Sequence, residues 1–389
     1  MPAVSTGLEC FISNRPSWAR GRRLGLLCNQ ASVDARLRHA RLLVDEAFPG
    51  SLKAVFSPQH GLFSEKQDNM KESEDLLDER LKIPVFSLYS EKRAPTRRQL
   101  EGIDLLLIDL QDCGTRVYTY IWTMLLAMRA CAKNGVSVAV LDRPNPIGGE
   151  DVEGNLLESE LFSFVGMARI PMRHGMTICE LASFFKESEK LDLELHLVSM
   201  DGWKRNMYFD DTGLPWVLPS PNMPRLETAL VYPGQVILEG TNLSEGRGTT
   251  LPFEIFGSPY LDDRLVEEHF KGLDGGRLRY QSFEPTFNKW HGHSCRGFQV
   301  HVTDRRRFRP YRFTLDLLSL LNRVQKEQFS WTPPPYEYDF WNLPADLIMG
   351  SRKVRRMVEE GAEVEDFDQI LSEDEAFFLK MRQKFLMYA

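Results

Sequence analysis

An α/β fold built on a mostly parallel sheet is predicted by three observations. Apolar runs alternate with helix-type patterns through the first 200 residues, the runs are continuously apolar, and most end in a cluster of polar side chains. Strands covered by helices on both faces lose the in–out alternation of a half-exposed sheet. Alternation with helical segments then reads as successive βα units.

The elements follow in order. Leu24–Cys28 is the first expected strand and ends in Asn29-Gln30; residues 37–48 carry helical spacing. The second strand, 52–56, ends in Ser57-Pro58-Gln59-His60-Gly61, and 83–88 is the third. The fourth, 104–110, is almost wholly apolar and ends in Gln111-Asp112-Cys113-Gly114. A helix over 118–134 is closed by Gly135, the residue that best tolerates a left-handed C-cap. The fifth strand, 136–141, ends in Asp142-Arg143-Pro144-Asn145-Pro146. Residues 176–187 read as a helix in which Thr177 and Glu180 have capping-box spacing, and 193–198 as a further strand. The alternation lapses across 203–232, rich in proline and aromatics, so a boundary is expected near residue 200: a Rossmann-like domain over 1–200 and a smaller α+β domain over 201–389. In the second half, helices are expected at 262–270 and 315–328 and a strand at 298–302.

Parallel sheets bind ligands outside the carboxyl ends of their strands. Asn29, Gln59, His60, Asp112, Asp142, Arg143 and Asn145 all fall there, which predicts a site on that edge. A second concentration lies at 239–250, where Glu239, Asn242, Glu245 and Arg247 stand among three glycines and four hydroxyl residues. Glycine permits close backbone approach, and the carboxylates can move protons.

Several classes are set aside. A net charge of −7 gives no field to draw in nucleic acid. Neither GxGxxG nor GxxxxGK[ST] follows the first strand, so no nucleotide cofactor is expected. No apolar run reaches membrane-spanning length. Six scattered cysteines without a CxxC pair favour a reducing compartment. A metal-assisted hydrolase using His60 with Asp109 and Asp112 stays open as an alternative. Carboxylate chemistry is better supplied: Glu153, Glu239 and Glu245 each lie beside glycine in polar loops, and Arg143, Arg173 with His174, and Arg247 can receive an anionic group.

Six ordered motifs resemble one family. They are Ser57-Pro58-Gln59-His60-Gly61-Leu62-Phe63, the stretch from Asp109 to Tyr120 (with Arg116 and Tyr118), Leu141-Asp142-Arg143-Pro144-Asn145-Pro146, Pro171-Met172-Arg173-His174-Gly175-Met176-Thr177, Ser220-Pro221-Asn222-Met223-Pro224, and the stretch from Glu239 to Thr249. The chain thereby resembles the exo-β-N-acetylmuramidases. The resemblance implies a Rossmann-like domain joined to a smaller one, with the site in the cleft between them. It implies release of N-acetylmuramic acid from the non-reducing end of peptidoglycan fragments, without a cofactor. Under it, one of Glu153, Glu239 and Glu245 protonates the leaving oxygen, and Arg143, Arg173 or Arg247 binds the lactyl carboxylate. His60, Asn145, Asn222 and Asn242 hold hydroxyl and acetamido groups, while Asn29, Gln59, Asp109, Asp112, Arg116, Tyr118, Asp142 and His174 complete the expected substrate-binding set. Many members have Glu where this chain has Gln59, and an amide is neither acid nor base. Gln59 with Gln67-Asp68-Asn69-Met70 reads as a subgroup signature. A binding protein that has lost its chemistry through Gln59 is therefore the alternative outside catalysis. Many members carry export signals and this chain shows none, which predicts a cytoplasmic protein acting on imported muropeptides.

Overall fold

The computed structural model describes residues 4–67, 71–89 and 92–389; Asp68, Asn69 and Met70 of the subgroup signature lie outside them. Strands β1 (Leu24–Cys28), β2 (Leu52–Ser57), β3 (Leu76–Leu77), β4 (Pro84–Ser87), β5 (Leu105–Asp109), β6 (Ser137–Leu141) and β7 (Leu195–Val198) form one sheet in the order β3-β4-β2-β1-β5-β6-β7. All neighbours pair in parallel except β3 with β4. Counting only the parallel strands, the spatial order is third, second, first, fourth, fifth, sixth, the doubly wound Rossmann arrangement. β1, β5 and β6 are buried at every position, which is why their sequences do not alternate.

Helices α1 (Gly7–Asn14), α2 (Ala40–Ala47), α3 (Arg97–Leu100), α4 (Tyr120–Asn134) and α5 (Ile178–Ser188) flank this sheet. Gly135 closes α4 in the left-handed conformation, and Thr177 with Glu180 forms the capping box of α5. Trp122 of α4 is fully buried, with its ring centroid 5.4 Å from that of Phe185 on α5. Burying one such side chain stabilises by roughly 1.5–3 kcal/mol, so this contact helps hold α4, and the loop before it, in place.

The second body contains α6 (Leu226–Gln235), α7 (Asp263–His269), α8 (Pro310–Val324), α9 (Pro344–Met349), α10 (Arg352–Glu359) and α11 (Val364–Arg382) around a small antiparallel sheet. Its strands are β8 (Ile255–Ser258), β9 (Gly276–Phe283) and β10 (Cys295–Val302), with β10 central. At Gly234 a Cβ would come within 1.9 Å of the Pro310 carbonyl oxygen, so only glycine lets α6 sit this close to the start of α8. One continuous apolar core runs from the β5–α4 layer into α6, α8 and α9. Among the described residues no helix is long and apolar enough to cross a membrane.

Candidate active site

The switch point of the parallel sheet lies between β1 and β5, where a doubly wound protein ordinarily takes its ligand. Here the chain itself occupies that crevice. Asn29 Nδ2 donates to the Pro219 carbonyl at 2.7 Å, and Gln30 Nε2 donates to the Leu218 carbonyl at 2.7 Å. Tyr120 Oη donates to the same Pro219 carbonyl at 2.7 Å. The proline-rich connection after β7 is thus fastened across the strand ends by buried polar side chains.

The open space lies further along, beyond β2 and at the start of α4. Gln59 and His60 follow β2, residues 117–120 lead into α4, and Ser220 and Asn222 come from the connection; together they form one wall. Tyr232 of α6, Glu239, Arg247, Tyr336 and Glu337 form the other. The backbone is strained at this point: His60 has φ 75°, and the consecutive residues Glu337 and Tyr338 have φ 45° and 68°. Non-glycine residues held in this region cost of order 1–3 kcal/mol each and gather at functional sites.

Two carboxylates face this cavity in different surroundings. Glu239 pairs with Arg247, whose Nη2 donates to its Oε1 at 2.6 Å and Nε to the same oxygen at 3.2 Å; Tyr336 Oη donates to Oε2 at 2.6 Å. Arg247 also lies 3.5 Å from Glu245. Glu337 is buried, which pushes its pKa above the usual carboxylate range. Opposing that push, Tyr89 Oη donates to Oε2 at 2.7 Å, Arg93 stands 3.8 Å away and Gln59 Nε2 donates to Oε1 at 3.1 Å, while the Glu239 charge adds to it. The Arg93 guanidinium is itself held among the rings of Tyr89, Phe164 and Tyr338, 4.1–4.6 Å from their centroids.

Gln59 is locked between two partners, because its Oε1 accepts from Thr119 Oγ1 at 2.7 Å. His60 Nδ1 lies 2.7 Å from the Lys66 carbonyl. A carbonyl only accepts, so Nδ1 carries the proton and Nε2 is left as an acceptor. Burial lowers the His60 pKa to about 4, and the ring is neutral at pH 7. The buried Tyr118 hydroxyl lies in the cavity lining beside Ser220.

Of the residues singled out from the sequence, Gln59, His60, Tyr118, Asn222, Glu239 and Arg247 line this cavity. Glu245 and Asn242 line an adjoining groove instead. There Glu245 binds Lys289 Nζ at 2.8 Å, and Asn242 Oδ1 accepts from Tyr260 Oη at 2.6 Å.

The others lie elsewhere, and each placement has a physical reason. Glu153 pairs backbone with Arg173, accepts from the Arg312 amide at 3.1 Å, and is fully buried, its pKa raised to about 7 by burial. Arg173 donates to the Ile147 carbonyl and pairs with Asp151 at 3.3 Å, and Arg143 forks onto Asp109 at 2.6 and 2.8 Å. Neither arginine lines the cavity, so of the three anion-binding candidates only Arg247 does. Asp112 accepts from the Gly114 amide and from His174 Nε2, and Asn145 bonds the backbone of Met176 and Ile147. Asp142 accepts from Thr177, Cys179 and Tyr388, and burial raises its pKa to about 7. Arg116 is fully buried and donates to the carbonyls of Asn155, Ile170, Ile348 and Met349. His60, Asp109 and Asp112 are not gathered into a metal-type cluster, and among the described residues no three His, Cys, Asp or Glu side chains are so placed.

Glu337 is the cavity carboxylate that sequence reasoning missed. Its signal is present: Tyr336-Glu337-Tyr338-Asp339 directly follows three prolines, an acid between aromatics on a stiff turn.

A doubly wound domain, a second body and two carboxylates on one cavity define a two-body α/β protein with an enzyme-like cleft. The comparisons with known proteins make this specific. The family description "Exo-beta-N-acetylmuramidase NamZ, N-terminal" matches residues 24–227, and its C-terminal counterpart matches 230–388. The chain belongs to this exo-β-N-acetylmuramidase family of glycoside hydrolases. It is 41% identical over 390 residues to the peptidoglycan β-N-acetylmuramidase NamZ of Bacillus subtilis (strain 168), covering 100% of this chain and 92% of that one. A crystal structure of a DUF1343 family protein from Bacteroides fragilis NCTC 9343 superposes with a TM-score of 0.89 at 30% identity over the whole of both chains. A second such protein from the same organism gives 0.74 at 26% identity over 99% of each.

Proposed function

We propose that the protein releases N-acetylmuramic acid from the non-reducing end of peptidoglycan fragments, with Glu337 as proton donor and Glu239 as the second carboxylate. The carrying observation is that two buried carboxylates line one cavity, one in close contact with its arginine and the other 3.8 Å from its own. Glu337 is buried with its pKa raised, whereas Glu239 is gripped by Arg247. A raised pKa suits Glu337 to hold a proton for the leaving oxygen, and the Arg247 pair holds Glu239 in place on the same cavity. The proton passes from Glu337 to the glycosidic oxygen as the C1–O bond breaks. Glu239 stands by the oxocarbenium-like carbon, and water adds there, giving up its proton to one of the two carboxylates as the second C1–O bond forms.

This reading explains how a chain with Gln59 retains chemistry: the amide positions Glu337 and need not titrate. The division near residue 200 fits it, since the cavity takes residues from both sides of that point. The six free cysteines and the absence of a membrane-crossing helix among the described residues are compatible with a recycling role inside the cell. The test is release of N-acetylmuramic acid from a chromogenic N-acetylmuramide, with the matching N-acetylglucosaminide as control and with and without chelator. Chelator-insensitive release from the muramide alone is expected. Release from neither sugar would favour a binding protein, and loss with chelator a metal-assisted reaction.

A further inference from the structure

A second space adjoins the cavity. It is a groove of ≈ 550 Å³ that shares Glu239, Arg247 and Tyr336 with the cavity and continues over Trp290, Trp331 and Pro333. Both indole N–H groups are used within the protein: Trp290 Nε1 donates to the Asn242 carbonyl at 2.6 Å, and Trp331 Nε1 to Glu359 Oε1 at 2.9 Å. Those bonds fix the rings, both only partly buried. The charges here are paired internally. Lys289 Nζ donates to the Leu238 and Leu243 carbonyls and to Glu245, and Arg247 spans Glu239 and Glu245.

We infer that this groove is the subsite for the leaving-side sugar and that it takes an N-acetylhexosamine ring laid against Trp290 and Trp331. The inference rests on the hydrolase reading above. An exo-acting site encloses the terminal sugar, so the rest of the substrate leaves along whichever wall continues outward from the reacting carboxylates. Glu239 and Tyr336 stand at that junction. One face of a pyranose presents mainly C–H groups, and removing them from water against fixed aromatic rings is favourable. Arg247 lines both spaces and is paired with Glu239 and Glu245, so the two tryptophans are what set the groove apart: the leaving-side ring lies against them while the terminal sugar occupies the cavity.

The experiment compares two substrates with the same muramic moiety: the disaccharide of N-acetylmuramic acid β-linked to N-acetylglucosamine, and N-acetylmuramyl fluoride, whose leaving group has no ring. Trp290→Ala and Trp331→Ala should lower kcat/KM for the disaccharide by tenfold or more and leave fluoride hydrolysis within twofold. Trp290→Phe, which keeps an aromatic face, should retain most disaccharide activity. An equal fall on both substrates, or no fall on the disaccharide, would overturn the inference. Titration with free N-acetylglucosamine, read by tryptophan fluorescence, separates it from the hydrolase reading. If the wild type cleaves neither substrate yet binds the sugar, and the alanine variants do not, the hydrolase reading fails and the groove stands. No N-acetylglucosamine binding by the folded wild type, shown by an intact melting transition, would overturn the groove.

Discussion

Gln59 Nε2 donates to Glu337 Oε1 at 3.1 Å, joining the end of β2 to a turn 278 residues further along the chain. The other end of the amide is held by Thr119, so Gln59 presents its donor to Glu337 and cannot turn round without losing both bonds. An amide here supplies what a carboxylate in the same place would not, a hydrogen bond without a second negative charge.

The first prediction follows from that contact. Glu337→Gln should lower kcat by about 10²-fold or more, the usual scale for a positioned acid. Gln59→Glu sets a second carboxyl within hydrogen-bond reach of Glu337. Two carboxylates this close cannot both ionise at neutral pH, so one pKa of the pair rises. The alkaline limb of the kcat–pH profile should then move to higher pH. A Glu337→Gln variant with unimpaired kcat would remove Glu337 from the mechanism.

Arg93 gives a second test with a definite sign. Its positive charge lowers the Glu337 pKa against the upward push of burial. Replacing it by methionine keeps a long side chain among Tyr89, Phe164 and Tyr338 and removes the charge. The Glu337 pKa should rise. A proton donor works below its pKa, so the alkaline limb of kcat should shift upward. A shift downward, or none, would show that Arg93 does not act through Glu337.

Glu153 tests the sequence expectation directly. Its carboxyl lies away from the cavity, and one oxygen is buried without a partner. Glu153→Gln keeps the bond from the Arg312 amide and removes the need to ionise, so turnover per folded molecule should be unchanged. Stability should respond to pH. The folded pKa is about 7 and therefore above the unfolded value, so the native state holds the proton longer. The Glu153 contribution to stability is full below about pH 4 and declines as pH rises towards 7. The variant should lack that decline, a difference on the order of 3 kcal/mol at 1.36 kcal/mol per pKa unit. Denaturant midpoints of both proteins at pH 5 and pH 8 measure it. Parallel midpoints would show that Glu153 ionises freely in the fold.

The parallel sheet was legible because burial on both faces leaves uninterrupted apolar runs, as at 105–108. The caps at Thr177 and Gly135 were legible because each depends on one residue type. β9 was not: its alternation of exposed and half-buried positions along Gly276–Phe283, with two arginines, resembles a polar loop. The strand-end polar clusters were seen but uniformly assigned to a ligand. Most of them satisfy buried loops instead, since polar groups taken out of water need partners wherever they lie. Asn29, Asp109, Asp142 and Arg143 serve in this way, while Gln59 and His60 open onto the cavity. Glu337 was hidden because nothing local connects it to β2; the contact exists only once the second body has folded over the first.

Arg116 separates anchoring from recognition most sharply, since its motif position suggested substrate binding. Its guanidinium lies in the interior with four backbone carbonyls as acceptors, two of them in the last turn of α9 of the second body. Burial lowers its pKa to about 10, which still leaves it charged at neutral pH. Arg116→Met would leave the carbonyls of Asn155, Ile170 and Ile348 short of donors, while that of Met349 keeps Asn155 Nδ2 and Tyr311 Oη. Each such orphan costs about 1–3 kcal/mol, and release from burying a charge offsets part of the sum. A net destabilisation on the order of 3 kcal/mol is expected. Arg116→Lys should recover little of it, because one ammonium cannot reproduce a planar fork aimed at four oxygens. Chemical denaturation measures the loss, and the KM of the folded fraction measures recognition. A variant of wild-type stability with a raised KM would return Arg116 to the substrate site; the geometry predicts the reverse, lost stability with KM unchanged.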